Sequence, residues 1–317
     1  MLDGKFRLIR KLGAGGMSTV WKAENVFVKK FVAIKLMHPE FAGNARTLAR
    51  FRNEATAAGR IGSDHICDIL DFGQSELGPY IVMEMLIGQD LGDFVASRGL
   101  LDPELAVLVV RQALIGLSAA HRAGIIHRDL KPENVFLHEP TPGRLVVKLM
   151  DFGISKFTEH AGDGKTGVGV LMGTPEYMSP EQTEGAAEVD LRTDLWAMGA
   201  ILYYALTGRE AFSGRTLAAV LLAVTTKQHR PLAEIRGDVS EGLSRIIDKC
   251  LSKNPADRYA SATELSDVLA PFERGVDLRS AATVFGIAAA AAAAENNPSP
   301  AESDMCTVQT VPPSSSV

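Results

Sequence analysis

Apolar positions in the first part of the chain keep a two-residue rhythm. Phe6, Leu8 and Leu12 fall on even positions, and Ser18 to Ala23 and Phe31 to Met37 are rich in β-forming side chains. Strands separated by turns are expected there. From about Asn44 the period lengthens: Phe51, Ala55, Ala58 and Ile61 mark one face of a helix, and Glu54 lies on that same face. A carboxylate on an apolar face is costly to bury unless a cation meets it. Tyr80 to Leu86 reads as a further strand.

Beyond Gly88 the pattern is mostly helical. Asp102 followed by Pro103 has the form of an N-cap and a first helical residue, opening a helix that closes near Gly124. Asp194 to Thr207 is apolar nearly all round and stops at Gly208, the pattern of a buried central helix. Ser240 to Leu251, and a segment in which Ser261 and Glu264 have capping-box spacing, supply two more helices. The expectation is α+β: a small antiparallel sheet lobe with one helix, then a larger, mainly helical lobe.

Composition narrows the function. The chain has 317 residues, 46% hydrophobic and 22% charged, enough for a sizeable core and too apolar for general disorder. Its formal charge of −5 lacks the basic footprint of a dedicated nucleic-acid binder, so no nucleic-acid partner is expected. Residues 273–317 hold two basic and five acidic side chains, which leaves the first 272 residues near neutral. Phosphate binding must then rest on a few placed groups. The same end carries seven consecutive alanines (288 to 294) and a Pro/Ser-rich terminus, and reads as a linker or disordered tail. Ser280 to Ala294 is uncharged but only 15 residues long, a better short helix than a bilayer span. With no uninterrupted apolar run of about 18 residues, no membrane span is expected in this chain. The start, Met1 to Lys5, lacks a signal-peptide layout. Cys67, Cys250 and Cys306 are odd in number and far apart, favouring a reducing, cytoplasmic setting.

Two features bear on chemistry before any motif is complete. Gly13 to Val20 is a glycine-rich turn whose missing side chains let backbone N–H groups approach phosphate. Taken alone, an ordinary glycine hairpin accounts for it equally well. A dinucleotide-binding turn would lead into a helix, whereas Val20 to Ala23 favours a returning strand. In Val32-Ala33-Ile34-Lys35 a lysine sits within an apolar strand, where it needs an anion or loses its charge. Glu54 is the obvious partner, the alternative being a lysine facing water from an edge strand.

His127 to Asn134 reads His-Arg-Asp-Leu-Lys-Pro-Glu-Asn, and Asp151-Phe152-Gly153 follows 17 residues later. At these residues the chain resembles the eukaryotic-type protein kinases, with Lys131 to Asn134 similar to the serine/threonine branch. Gly173 to Glu181, Asp194 to Gly199 and Arg258 extend the resemblance in order over about residues 6–272, and Gly15 to Ser18 is most similar to bacterial members. The resemblance implies a two-lobed protein-kinase fold over 6–272, with a small lobe of about 6–86, a large lobe of about 87–272, and residues 273–317 outside it.

Residue by residue, the resemblance implies ATP with Mg²⁺, or Mn²⁺ in its place, and protein substrates. Asp129 would accept or orient the substrate hydroxyl proton, and Lys131 would stabilise the migrating phosphoryl group. Asn134 and Asp151 would hold the metal, while Lys35, held by Glu54, would grip the α- and β-phosphates. The turn through Leu12, Gly13, Gly15, Gly16 and Ser18 would cover the phosphates. Ser18 stands where the third glycine is usual, so altered nucleotide affinity is expected. Val20, Ala33 and Phe136 would sandwich the adenine, the backbone of Glu84, Met85 and Leu86 would bond its edge, and Met83 would precede this hinge. Asp90 is suited to a ribose hydroxyl or to a helix N-cap. Glu181 with Arg258, and Asp194 beneath the catalytic loop, would be structural.

Arg128 is a cation beside the active site, which kinases of this pattern neutralise with a phosphate on the loop between Asp151 and Glu181. That loop holds Thr158, Thr166 and Thr174. Thr174 resembles an architectural threonine, and Thr166 is the expected autophosphorylation site, a homodimer being one route to it. Against this stand a catalytically silent kinase-like scaffold, which would normally lack Lys35, Asp129 or Asp151, and a dinucleotide-dependent oxidoreductase, which would need repeated βαβ units.

Overall fold

The computed structural model describes residues 1–152, 174–185 and 189–273. Gly153, Thr158, Thr166, Gly173 and the tail from residue 274 lie outside the described residues.

Five antiparallel strands form the small lobe: β1 (Phe6–Ala14), β2 (Ser18–Asn25), β3 (Lys30–Met37), β4 (Ile69–Ser75) and β5 (Gly78–Glu84), in the order β1-β2-β3-β5-β4. A one-turn helix α1 (Pro39–Ala42) and the longer α2 (Ala45–Ala58) lie between β3 and β4. The pleat of β3 decides what faces what. Val32 and Ile34 point to one side, packed with Leu2, Phe6, Tyr80 and Val82. Met37 points to the other, against Phe51 and Ala55 of α2 and Ile81 of β5. Lys35 shares the parity of Met37 and so faces α2; a one-residue slip in register would send it to the opposite face. Asn44 starts α2 by accepting hydrogen bonds from the N–H groups of Arg46 and Thr47, as an N-cap does.

The large lobe opens with β6 (Gly88–Asp90), α3 (Leu91–Arg98) and α4 (Pro103–Arg122). It continues through β7 (Val135–Thr141) and β8 (Arg144–Leu149), then α5 (Pro180–Thr183), α6 (Arg192–Thr207), α7 (Leu217–Thr226), α8 (Glu241–Cys250) and α9 (Ala262–Leu269). Its core is α6, buried nearly all round as its sequence requires, and closed by Gly208 in the left-handed region at φ 65°. Helix α4 has the length and apolarity of a membrane span, yet 61% of its apolar window is buried in this lobe. Gly116 lets α4 press on the His65 backbone, where a Cβ would come within 2.6 Å of the carbonyl oxygen.

Several boundaries differ from the sequence expectation. The strand from Tyr80 stops at Glu84 rather than Leu86, because the Glu84 N–H turns to the Asp68 carbonyl. Asp102 occupies the N-cap of α4 without a side-chain capping bond. Ser261 caps α9 through the Glu264 N–H, but the Glu264 carboxylate accepts from Ala260, one residue before the cap. The lobe expected to be mostly helical also contains the three-stranded sheet β6-β7-β8.

Candidate active site

Lys35, Glu54 and Asp151 meet between the lobes. The Lys35 Nζ donates to Glu54 Oε1 at 2.7 Å and to Asp151 Oδ1 at 2.8 Å. Burial alone would lower the lysine pKa; the carboxylates of Asp151 and Glu54 overcome that and raise it above the ordinary value. Burial raises Glu54 despite the pull of Lys35. Burial also pushes Asp151 upward, but Lys35 more than offsets it and holds that carboxyl below its usual range. The expected partnership of Lys35 with Glu54 is therefore present, and Asp151 joins it.

The segment from His127 to Asn134 is a loop clamped from below. Asp194, only 1% exposed, accepts from the His127 N–H at 2.9 Å, the Arg128 N–H at 2.8 Å and the His121 ring at 2.8 Å. Gln182 donates to the Arg128 carbonyl at 2.8 Å. These bonds hold Arg128 at φ 65°, a conformation a non-glycine residue keeps only when its surroundings enforce it. One neutral tautomer of His127 satisfies both its contacts: Nε2–H donates to the Met150 carbonyl at 2.9 Å, and Nδ1 accepts from the Asp129 N–H at 3.3 Å. Burial lowers its pKa against the pull of Asp194 and Asp129, keeping it neutral. Asn134 donates through Nδ2 to the Asp129 carbonyl at 2.7 Å, which keeps its Oδ1 as acceptor. Arg128 Nε is buried and has no partner among the described residues, and Thr174 lines the same small cavity as Asp129.

A cleft of about 810 Å³ runs from this cluster to the segment joining the lobes. Of the expected nucleotide contacts, Leu12, Gly13, Val20, Ala33, Met83, Glu84, Leu86, Asp90 and Phe136 line it, as do Glu54 and Asp151. Gly15, Gly16, Ser18, Asp129, Lys131 and Asn134 are not in its lining, and Lys35 reaches it through its two carboxylates. The glycine turn is a hairpin closed by the Gly15 N–H on the Ser18 carbonyl at 2.8 Å. A Cβ at Gly13 would meet nothing and one at Gly15 only ordinary contact, so packing does not demand glycine there. Glycine is explained instead by whatever approaches the turn.

Asp90 caps α3, accepting from the Asp93 N–H at 2.8 Å through Oδ1. The N-cap reading is thus present, and Asp90 still lines the cleft. Burial raises its carboxyl to about 6, opposed by the Asp93 N–H. The Glu84 side chain, half-buried at the hinge, is engaged through Oε1 by Lys148 and by the Asp68 N–H. Sequence reasoning missed Lys148, and likewise Cys67, Leu149 and Phe152 of the cleft wall. For Phe152 the signal was present in its motif; for the others none was local.

Behind the site, Arg258 grips Glu181 in a two-bond fork, 2.7 and 2.8 Å, with its side chain fully buried. Asn134 and Asp151 offer hard oxygen donors suited to Mg²⁺, which takes few protein ligands and completes its shell with water and phosphate oxygens. Among the described residues no group of three or more His, Cys, Asp or Glu could hold a metal by itself.

The chain is similar in sequence to curated bacterial serine/threonine-protein kinases. Serine/threonine-protein kinase pkn3 of Myxococcus xanthus is 41% identical over 263 residues, covering 81% of this chain and 48% of that protein. Pkn1 of the same organism is 40% identical, covering 84% and 38%. PknL of Mycobacterium tuberculosis is 36% identical, covering 83% and 64%. The chain therefore spans about half or less of the Myxococcus relatives. Among solved structures, the M. tuberculosis PknI kinase domain superposes with TM-score 0.66 at 25% identity, covering 86% of this chain and 97% of that one. Rad53 in complex with AMP-PNP gives TM-score 0.68 at 28% identity, covering 85% and 65%. The small antiparallel sheet lobe and helical large lobe are the protein-kinase fold, and the protein kinase domain family matches residues 6–268, so the chain belongs to that family.

Proposed function

We propose that residues 6–272 form an active serine/threonine protein kinase domain of the bacterial eukaryotic-like type, transferring the γ-phosphoryl group of ATP to Ser or Thr hydroxyls of proteins. The observation that carries this reading is Lys35 bridging Glu54 and Asp151 beside the clamped loop of Asp129. A silent scaffold has no use for all of these groups together.

In this mechanism the substrate hydroxyl oxygen attacks the γ-phosphorus, the bond to the β–γ bridging oxygen breaks, and ADP carries that oxygen away. Asp129 orients the hydroxyl and takes its proton. Lys131 meets the charge on the migrating group, and Lys35 that on the α- and β-phosphates. Asn134 and Asp151 would hold Mg²⁺, or Mn²⁺, which when bound neutralises phosphate charge. Gly13, Gly15, Gly16 and Ser18 cover the phosphates. Val20, Ala33 and Phe136 enclose the adenine, with Met83 behind it and the backbone of Glu84 to Leu86 along its edge. Asp90 accepts from the ribose. Catalysis then rests on positioning and charge, with no covalent intermediate.

Activation by autophosphorylation at Thr166, within a homodimer, belongs to the same reading and is supported by the buried Nε of Arg128, which has no partner among the described residues. A reducing cytoplasm is supported by Cys67 and Cys250, both buried and free. Residues 273–317 are assigned no part in catalysis. Incubation with Mg·ATP and a generic protein, followed by phosphoamino-acid analysis, tests the reading: phosphoserine or phosphothreonine is expected, and phosphotyrosine alone or no product overturns it.

A further inference from the structure

The turn between β2 and β3 exposes three apolar side chains within five residues. Phe27 is 74% exposed, Val28 61% and Phe31 53%, with Lys29 and Lys30 exposed between them. Scattered exposed apolar residues are ordinary, but Phe27 and Val28 are adjacent and stand together at the end of a hairpin. The turn is also built to hold its shape. Asn25 Oδ1 accepts from the N–H groups of Phe27 at 3.1 Å and Val28 at 3.4 Å, and the Lys29 N–H closes on the Asn25 carbonyl at 2.9 Å. Lys29 takes φ 55° to complete it. Phe31 is steadied from the side by Lys22, whose Nζ lies 4.5 Å from the ring centre.

Charge identifies what the turn fits. Lys22, Lys29 and Lys30 cluster at the end of β2 and β3 that bears the turn, in a chain whose formal charge is −5; Lys5 and Arg7 of the neighbouring β1 end are paired with Asp71 and Glu24. Asp3 accepts from the Tyr80 hydroxyl at 2.6 Å, and Glu24, which binds Arg7, has Lys29 at 3.9 Å. The turn therefore presents lysines on a protein whose net charge is negative, which orients the tip in the field of an anionic surface. Exposed aromatic and aliphatic side chains beside lysines on a projecting turn match a lipid interface, where apolar groups enter the headgroup layer and cations stay at its phosphates. A folded protein partner would instead need a cavity shaped to receive the tip.

We propose that the β2–β3 turn is a membrane-docking tip, inserting Phe27 and Val28 into an anionic bilayer surface while Lys29 and Lys30 meet its lipid phosphates. Phe27, Val28, Lys29 and Lys30 lie at the opposite end of β2 and β3 from the glycine turn and outside the cleft lining, although Phe31 and Lys22 beside them line the cleft.

The test is co-sedimentation of the full chain with vesicles of phosphatidylcholine alone or mixed with phosphatidylglycerol. Binding to the mixed vesicles only, weakened by added salt, is expected. Lys29→Gln with Lys30→Gln should weaken it roughly 30-fold, and Phe27→Ser with Val28→Ser at least about tenfold. A Phe27→Trp variant should shift its emission to the blue on mixed vesicles. Absence of sedimentation, or equal binding by wild type and both double variants, overturns the proposal. Retention on an immobilised poly-glutamate peptide without vesicle binding overturns it in favour of an acidic protein partner. Kinase activity in solution should be the same in all variants, which separates this outcome from failure of the catalytic reading.

Discussion

Lys35 and Asp151 are 116 positions apart in the chain and 2.8 Å apart in the cleft. Through the same ammonium Lys35 also holds Glu54, so strand β3, helix α2 and the start of the loop after β8 are joined at one cation. Removing it leaves the largely buried Glu54 carboxylate without its cation. Lys35→Met should lower kcat by about 10²–10³-fold and destabilise the fold by up to about 3–5 kcal/mol. Adding Glu54→Gln should restore part of the stability and none of the activity, which urea unfolding and steady-state kinetics would separate.

Asp194 reaches the Asp129 loop through the His127 and Arg128 N–H groups and is held from the side by the His121 ring. With three donors on a carboxylate that is 1% exposed, Asp194→Ala should cost about 3–5 kcal/mol. Asp194→Asn can keep only part of that set. It should reduce kcat more than it raises the KM for ATP, because the Asp129 loop loosens while the adenine end of the cleft is untouched.

Much of this was legible in the sequence, and the reasons are local. Strand rhythm in β1 to β3, the apolar stripe of α2 and the all-round apolarity of α6 each follow from one segment's own pattern. Lys35 and Glu54 were legible because each is awkward alone and the register of β3 turns one toward the other. The small sheet β6-β7-β8 was not, since its runs are short and the turn at Pro140 to Gly143 looks like loop. Helix α7 was missed because Leu217 to Val224 is apolar without a clear period. Lys148 meeting Glu84 behind the hinge depends on how β8 docks beneath β5, and no spacing in the chain announces it.

If Asp90 accepts from the ribose as proposed, nucleotide binding should depend on pH. Burial raises its carboxyl to about 6, and only the ionised form accepts a ribose hydroxyl without giving up an oxygen to a proton. ATP affinity should be full well above pH 6 and fall as pH drops through it. Folding stability has the opposite sign: a native pKa above the unfolded value of about 3.9 means this group costs stability as pH rises through that window. Asp90→Asn, which still caps α3, should flatten the affinity profile in calorimetric titrations.

Glu181 supplies the contrasting case. Burial opposes its ionisation, but the Arg258 fork holds its pKa below the usual glutamate range. Its contribution to stability is therefore complete above about pH 4.3 and is lost as pH falls through the lowered native value. Glu181→Gln should remove that acid-side slope in urea unfolding, and Arg258→Ala should cost about 3–5 kcal/mol at neutral pH by stranding the carboxylate.

The central claim is that Asp129 handles the hydroxyl proton in phosphoryl transfer. Wild type and Asp129→Asn, each given Mg·ATP and a generic protein substrate, should bind ATP alike, while phosphate incorporation by the variant falls about 10²–10⁴-fold. Equal incorporation by the two proteins, or none by the wild type, would contradict it.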